Sequence, residues 1–132
     1  MAAAVGGGLP VIEARLPMPP TANNMFFNLK GGGRAKTSFY KDWIKQADML
    51  LLDAYKRAGS PQWHIRTPMQ LIIVLGLTNR RRDASNCLKP IEDALCRVLP
   101  IPDDRYNDEI KIFRNPQLDG IALVRLQPME PE

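Results

Sequence analysis

The sequence of 132 residues has little of several residue types that mark particular classes of protein. It contains two cysteines and one histidine. Cys87 and Cys96 form no CxxC pair, which argues against a disulfide framework or a zinc site. No apolar run approaches the length of a membrane span, and the amino terminus lacks the basic start of a signal peptide. We therefore expect a cytoplasmic protein with no membrane partner.

Motifs for nucleotide binding and for nucleophilic catalysis are also missing. The run Gly31-Gly32-Gly33 lacks the Lys-Ser/Thr pair of a phosphate-binding loop and the strand-to-helix context of a dinucleotide site, so no nucleotide cofactor is predicted. His64 has no Ser or Cys partner in any motif, and we assign it no catalytic role.

What is present is an ordinary globular composition with a surplus of basic residues. The apolar fraction is 45% and the charged fraction 24%, which are typical of globular proteins, and the length suits one domain. The net charge of +4 permits a polyanionic partner, because Lys and Arg attract phosphates. Many basic proteins bind no nucleic acid, so the charge alone does not decide.

Hydrophobic periodicity predicts the secondary structure. Residues 1–8 are small and form an expected flexible terminus before a single domain at 9–128. Strands are predicted at 9–16, 25–28, 69–77, 109–113 and 121–126, and helices at 38–57 and 87–99. The resulting order, β-β-α-β-α-β-β, predicts an α/β (α+β) single-domain sandwich with two main helices on a mixed sheet.

Two of these segments give more detailed expectations. The continuous apolar run at 69–77 is the best candidate for a buried central strand. The first helix is expected to be capped by Thr37 or Ser38. Its predicted core face consists of seven apolar residues at helical spacing, namely Phe39, Trp43, Ile44, Ala47, Leu50, Leu51 and Ala54.

The candidate chemistry centres on the run Arg80-Arg81-Arg82-Asp83, between the predicted central strand and the second helix. Strand ends that lead into helices commonly present functional groups at one edge of an α/β sheet. Hard divalent cations prefer carboxylate oxygens and water, so Asp83 can supply one ligand, and Asp103 and Asp104 can supply others if their turn folds back toward that strand. The alternative is that these aspartates only accept hydrogen bonds in turns or caps.

Two basic features have a functional and an ordinary interpretation. Lys89, in the first turn of the second helix, can stabilise negative charge electrostatically, or it can form a helical ion pair with Asp93 four residues later. The loop at 31–36 is either a plain hairpin tip or a flexible flap whose Arg34 and Lys36 reach a DNA backbone.

Three blocks of the sequence, in order, resemble the RusA family of Holliday junction resolvases. The first is the Pro-Pro and Asn turn at 16–24. The second, at 80–95, contains the arginines, Asp83, Asn86, Lys89 and an Asp-Ala-Leu run that begins at Asp93. The third is the acidic pair Asp103-Asp104. Together the blocks fall within residues 16 to 113.

This resemblance implies a homodimeric, magnesium-dependent endodeoxyribonuclease that nicks two strands of a four-way junction symmetrically in DNA recombination and repair, a task that suits two-fold symmetry. Manganese is the alternative metal. The resemblance implies that Asp83 and Asp104 are catalytic metal ligands, with Asp103 beside them, and that Lys89 is a catalytic lysine. The residues expected to contact DNA are Arg80, Arg81, Arg82, Asn86, Arg34 and Lys36.

The sequence departs from the family pattern at Ser85, which stands where the pattern has a second carboxylate. A neutral serine is a weaker ligand for a hard cation, and Asp108 or Glu109 are the carboxylates that can compensate for it. A branched-DNA-binding module with the same fold and weak or absent catalysis is therefore the alternative function. A general RNA-binding domain is less favoured, because the sequence lacks the aromatic stacking motif of RNA-recognition sheets.

Overall fold

The computed structural model describes residues 11–62, 68–77, 84–100 and 107–129, so the predicted flexible terminus at 1–8 lies outside the described residues. The α+β class, with two helices and a mixed sheet, is confirmed. The helices and strands are β1 (Ile12–Pro17), β2 (Phe26–Asn28), β3 (Arg34–Lys36), α1 (Ser38–Arg57), β4 (Met69–Leu75), α2 (Leu88–Val98), β5 (Asn107–Arg114) and β6 (Ile121–Pro128). The predicted order lacked one strand, because the end of the basic loop forms β3 and pairs with β2.

The main sheet has the strand order β1-β6-β4-β5. Strand β6 runs antiparallel to both β1 and β4, whereas β5 runs parallel to β4. The prediction of a central strand at 69–77 is therefore confirmed for β4. Its side chains alternate between buried and half-buried, so Leu71 and Ile73 are in the core while Ile72 and Val74 lie on the less covered face.

Helix α1 begins where the sequence predicted, but its core face differs. The buried residues are Tyr40, Trp43, Ala47, Leu51 and Ala54. Phe39 and Leu50 were expected in the core, and they are 72% and 39% exposed. Adjacent residues are about 100° apart around a helix, so Phe39 and Tyr40 cannot both face the sheet, and Tyr40 takes the inner position.

Thr37 is the cap of α1 and also ties the helix to the preceding turn. Its side-chain oxygen accepts a hydrogen bond from the Tyr40 backbone N–H at 3.2 Å. Its hydroxyl donates to the Asn24 carbonyl, and its backbone N–H donates to the Met25 carbonyl. The cap therefore satisfies one of the unpaired N–H groups of the helix start and fixes where the helix begins.

Replacing Thr37 with alanine should lower the free energy of unfolding by about 1 kcal/mol, the typical cost of losing a capping side chain. Urea denaturation measures the change. Ser38→Ala is the matched control, because it removes a neighbouring hydroxyl that does not cap the helix. Equal losses for the two variants would contradict the assignment of Thr37 as the cap.

Helix α2 follows a single 3-10 turn at Ala84–Cys87 and buries Ile91, Ala94 and Leu95. Pro90 is its third residue, where a missing N–H costs no helical hydrogen bond. An ion pair between Arg97 and Asp48, with an N–O distance of 2.9 Å, joins α2 to α1. In the described part of the chain, no helix combines the length and the apolar character needed to cross a membrane.

The strand pairing defines two edges of the main sheet. At one edge, β1, β4 and β5 end and β6 begins. There Leu75 pairs with both Arg114 and Ala122, and Pro17 pairs with Ile121. We call this the carboxyl edge. At the opposite edge β4 and β5 begin, with Met69 paired to Asn107.

Candidate functional site

Both helices begin at the carboxyl edge. The indole N–H of Trp43, in the second turn of α1, donates to the Pro17 carbonyl at the end of β1, at 2.7 Å. The two helices lie side by side, and the Arg97–Asp48 pair joins the end of α2 to the middle of α1. Because β5 runs parallel to β4, α2 carries the chain from the end of β4 back to the start of β5, so α2 begins at the carboxyl edge, beside the start of α1.

The electrostatics of Tyr40 agree with this arrangement. Burial raises the pKa of the Tyr40 phenol above its ordinary value of 10.0, and the negative charge of Asp93 raises it further. The positive charges of Arg97 and Lys89 act in the opposite direction. Three charged residues of α2 are thus close enough to Tyr40 to influence its ionisation, and the phenol stays protonated at neutral pH.

The basic hairpin formed by β2 and β3 extends from the same place. The Arg34 guanidinium lies over the Phe26 ring, 4.4 Å from its centroid, and Phe26 contacts Tyr40 edge-on at 5.6 Å between ring centroids. Arg34 and Lys36 are exposed. The hairpin tip that the sequence allowed is therefore present, and its cations face solvent beside the starts of the two helices.

Asn86 and Lys89 lie at the start of α2, and both are exposed. The Lys89 ammonium lies 2.9 Å from Asp93 Oδ1, so the helical ion pair considered from the sequence is present. Exposed pairs at this spacing contribute only about 0.3–0.5 kcal/mol, so the pair does not prevent Lys89 from turning toward a ligand. The catalytic role of Lys89 stays a prediction. Its neighbour Glu92, which the sequence analysis did not single out, is 8% exposed.

Six predicted site residues lie outside the described residues, and so does the side chain of Ser85. These six are Arg80, Arg81, Arg82, Asp83, Asp103 and Asp104. Within the ranges that the structure describes, no group of three or more His, Cys, Asp or Glu residues could hold a metal ion.

The described residues that flank Asp83 and those that flank Asp103-Asp104 lie at different edges of the sheet. Asp83 directly precedes Ala84, where the chain enters α2 at the carboxyl edge. Asp103 and Asp104 fall between Pro100, after the end of α2, and Asn107, where β5 begins at the opposite edge. The 11 residues of α2 span about 16 Å. The described residues that flank Asp83 and those that flank Asp103-Asp104 are therefore about one length of α2 apart.

Asp108 and Glu109 were the carboxylates expected to compensate for Ser85, and both are engaged at the opposite edge. Asp108 Oδ2 accepts the Met69 backbone N–H at 3.0 Å. Glu109 accepts a hydrogen bond from Gln70 and pairs with Lys111. Hydrogen bonds from Lys111 and then Gln70 lower the pKa of Glu109. These contacts fix the starts of β4 and β5, so neither carboxylate lies beside Lys89 at the carboxyl edge.

A cleft of about 430 Å³ opens at the carboxyl edge between the Pro17–Pro20 turn and the first turns of α1. Sequence reasoning missed this site because periodicity placed Phe39 in the core. The adjacent Phe39 and Tyr40 were the available signal, since one of them must face outward. The lining residues are Pro17, Met18, Pro20, Asn24, Phe39, Asp42, Trp43 and Gln46.

The hairpin and the first turns of α1 are rich in cations. Residues 24–46 contain one acidic residue, Asp42, and five cations. This stretch carries a net charge of +4, so the rest of the chain is neutral overall. The five cations are Lys30, Arg34, Lys36, Lys41 and Lys45, all of them exposed. Of these, Arg34 and Lys36 belong to the hairpin that the Arg34–Phe26 and Phe26–Tyr40 contacts hold against the start of α1.

Comparison with known protein families finds no match, and comparison with the curated proteins finds none either.

Proposed function

We propose that the chain is a metal-dependent endodeoxyribonuclease that acts on branched DNA such as a four-way junction, working in the cytoplasm. The main support for the proposal is that the candidate DNA-contacting parts of the chain meet at the carboxyl edge. The basic hairpin, the starts of both helices and the described residues on either side of segment 78–83 all lie there. That segment contains three arginines and Asp83, which supply phosphate-binding groups and a metal ligand in this proposal.

The donor set suits magnesium or manganese. Carboxylate oxygens are the ligands that hard divalent cations prefer, and Asp83, Asp103 and Asp104 would hold the ion. When bound, such an ion offsets the negative charge that develops on a phosphate during hydrolysis.

The other residues bind and orient the DNA. Arg80, Arg81 and Arg82 donate to phosphate oxygens, as does the Asn86 amide, and these contacts position the backbone without reading its sequence. Lys89 stabilises negative charge on the reacting phosphate. Arg34 and Lys36 hold a neighbouring stretch of backbone. Two copies of the chain related by a two-fold axis would present one such surface to each of two equivalent strands of a junction.

A second candidate function is a branched-DNA-binding module that does not cut. Two observations favour it. Ser85 removes a formal negative charge from the donor set, and the described neighbours of Asp83 and Asp104 lie at opposite edges of the sheet. This module needs the same cations but no shared metal site.

Single-turnover incubation with a labelled four-way junction separates the two candidates. The endonuclease shortens labelled strands in magnesium or manganese and stops when the metal is chelated. The binding module forms a complex whose strands keep their full length under every condition. Uncut strands in a stable complex, with either metal, would overturn the proposal of an enzyme.

Removing both hairpin cations, in Arg34→Ala combined with Lys36→Ala, should weaken junction binding and make it less sensitive to salt. Each lost phosphate contact lowers the slope of log affinity against log salt by about 1. Fluorescence anisotropy over a salt series measures both quantities. The matched control combines Lys56→Ala with Arg57→Ala, an exposed Lys and Arg at the other end of α1. Equal changes in the two double variants would contradict a specific role of the hairpin.

A further inference from the structure

The chemistry of the cleft differs from that of the surface around it. The lining contains no cation, and its one charged group is the Asp42 carboxylate. A carboxylate repels a phosphate but accepts hydrogen bonds from a neutral donor. Phe39, on the cleft wall, is 72% exposed, so one face of an aromatic ring is open to a ligand. The cleft is therefore suited to a flat, neutral group that carries hydrogen-bond donors, while the cations outside suit an anionic chain.

We propose that this cleft binds one unstacked base of single-stranded or branched DNA, with the base against Phe39 and the neighbouring phosphates on the hairpin cations Arg34 and Lys36. The inference rests on the proposed function only in taking DNA as the ligand. Base stacking on an aromatic side chain, within a positively charged groove, is the usual way in which proteins hold single strands. The cleft volume of about 430 Å³ lies in the range of small-ligand sites, roughly 300–1,000 Å³.

The polar lining sets an expected base preference. The amides of Asn24 and Gln46 offer both donors and acceptors, so they accommodate any base edge. The Asp42 carboxylate only accepts, so it favours a base with an exocyclic amino group, such as cytosine, over thymine. Asp42→Asn should remove this preference, because an amide can also donate to the thymine carbonyl.

The net charge supports DNA rather than an apolar peptide as the occupant. Residues 24–46, which form the hairpin and supply five of the eight lining residues, carry a net charge of +4. Such a concentration raises the local density of polyanions and speeds their encounter with the surface. An apolar peptide would gain nothing from these cations and would have to cover Asn24, Asp42 and Gln46.

The experiment compares binding of a fluorescein-labelled oligodeoxycytidylate to four forms of the chain by anisotropy. Phe39→Ala should weaken binding about tenfold, because stacking contributes roughly 1–3 kcal/mol per base. Phe39→Tyr keeps the ring and should bind like the wild type. Met49→Ala is the matched control, since Met49 is also 72% exposed on α1 but does not line the cleft. The salt dependence should be the same in Phe39→Ala as in the wild type, because no phosphate contact is lost.

Equal affinity of Phe39→Ala and Met49→Ala for the oligonucleotide would overturn the inference, and so would the absence of binding by the wild type. Junction cleavage, measured in parallel, keeps the two proposals apart. Binding that depends on Phe39 without any junction cleavage would support the base site and overturn the endonuclease. Junction cleavage together with normal oligonucleotide binding by Phe39→Ala would support the endonuclease and overturn the base site.

Discussion

Replacing Asp83 with asparagine should slow cleavage of a four-way junction at least about a hundredfold while leaving junction binding intact. The substitution keeps the size of the side chain but removes a negative charge from the metal donor set. Charge stabilisation by a catalytic metal is worth several kcal/mol, and each 1.4 kcal/mol is about a tenfold change in rate. Binding should be retained, because the arginines and the hairpin that hold the backbone are unchanged. Single-turnover cleavage and anisotropy measure the two quantities separately.

Asp119→Asn is the control for a general effect of charge at the carboxyl edge. Asp119 is exposed and lies in the turn that leads into β6 at that edge, so its replacement changes the local charge by the same amount. It should cleave like the wild type. Equal rates for Asp83→Asn and Asp119→Asn would show that Asp83 holds no catalytic metal.

Replacing Gly76 with alanine should lower the free energy of unfolding by about 3 kcal/mol, at the upper end of the usual cost of forcing extra volume into packed structure. A Cβ atom at Gly76 would lie 1.9 Å from the Leu118 carbonyl oxygen and 2.9 Å from that of Ile121. Both are backbone atoms, so no side-chain rotation relieves the overlap. The Gly76 backbone N–H also donates to the Ile121 carbonyl at 2.8 Å. The end of β4 or the turn before β6 would therefore have to move.

Gly31→Ala is the matched control for Gly76→Ala. A Cβ atom at Gly31 would meet nothing within 4 Å, so urea denaturation should show little change. Equal stability of the two variants would contradict the close approach at the carboxyl edge. Since Gly76 and Leu77 directly precede segment 78–83, which contains Asp83, any Gly76→Ala protein that folds should also cleave junctions more slowly than Gly31→Ala.

Local signals in the sequence were sufficient for the elements with strong periodicity. Thr37, a standard capping residue, and Gly59, which takes a left-handed φ of 91°, bracket α1, and the helix runs over the predicted residues. The apolar run at 69–77 identified the central strand. A strand that has another strand on each side and a helix packed over the sheet is apolar at most positions. Each of these signals lies within one stretch of chain.

Features that depend on tertiary contacts were harder to predict. Periodicity placed both Phe39 and Leu50 in the core of α1, because the pattern counts apolar residues without showing which side the sheet occupies. The position of Trp43 against β1 settles that choice. The strand β3 was missed because a strand of three residues next to a glycine run carries almost no periodic signal.

The candidate site was only partly predictable for a related reason. The basic residues between 24 and 46 can be counted in the sequence, but only the contacts of Arg34 with Phe26 and of Phe26 with Tyr40 show that the hairpin lies against the start of α1. The prediction of a mixed sheet did not say which strands are parallel. The parallel pairing of β4 and β5 determines that the described neighbours of Asp83 and Asp104 lie at opposite edges. The roles of Asp83, Asp103, Asp104 and Lys89 stay predictions.

The most direct test of the account is to map the nicks that the chain makes in a labelled four-way junction with magnesium, against a linear duplex of the same sequence. The account predicts paired nicks at equivalent positions on two opposed strands of the junction, none in the linear duplex, and none once the metal is chelated. A junction that stays intact in magnesium and in manganese while the chain is bound to it would contradict the account.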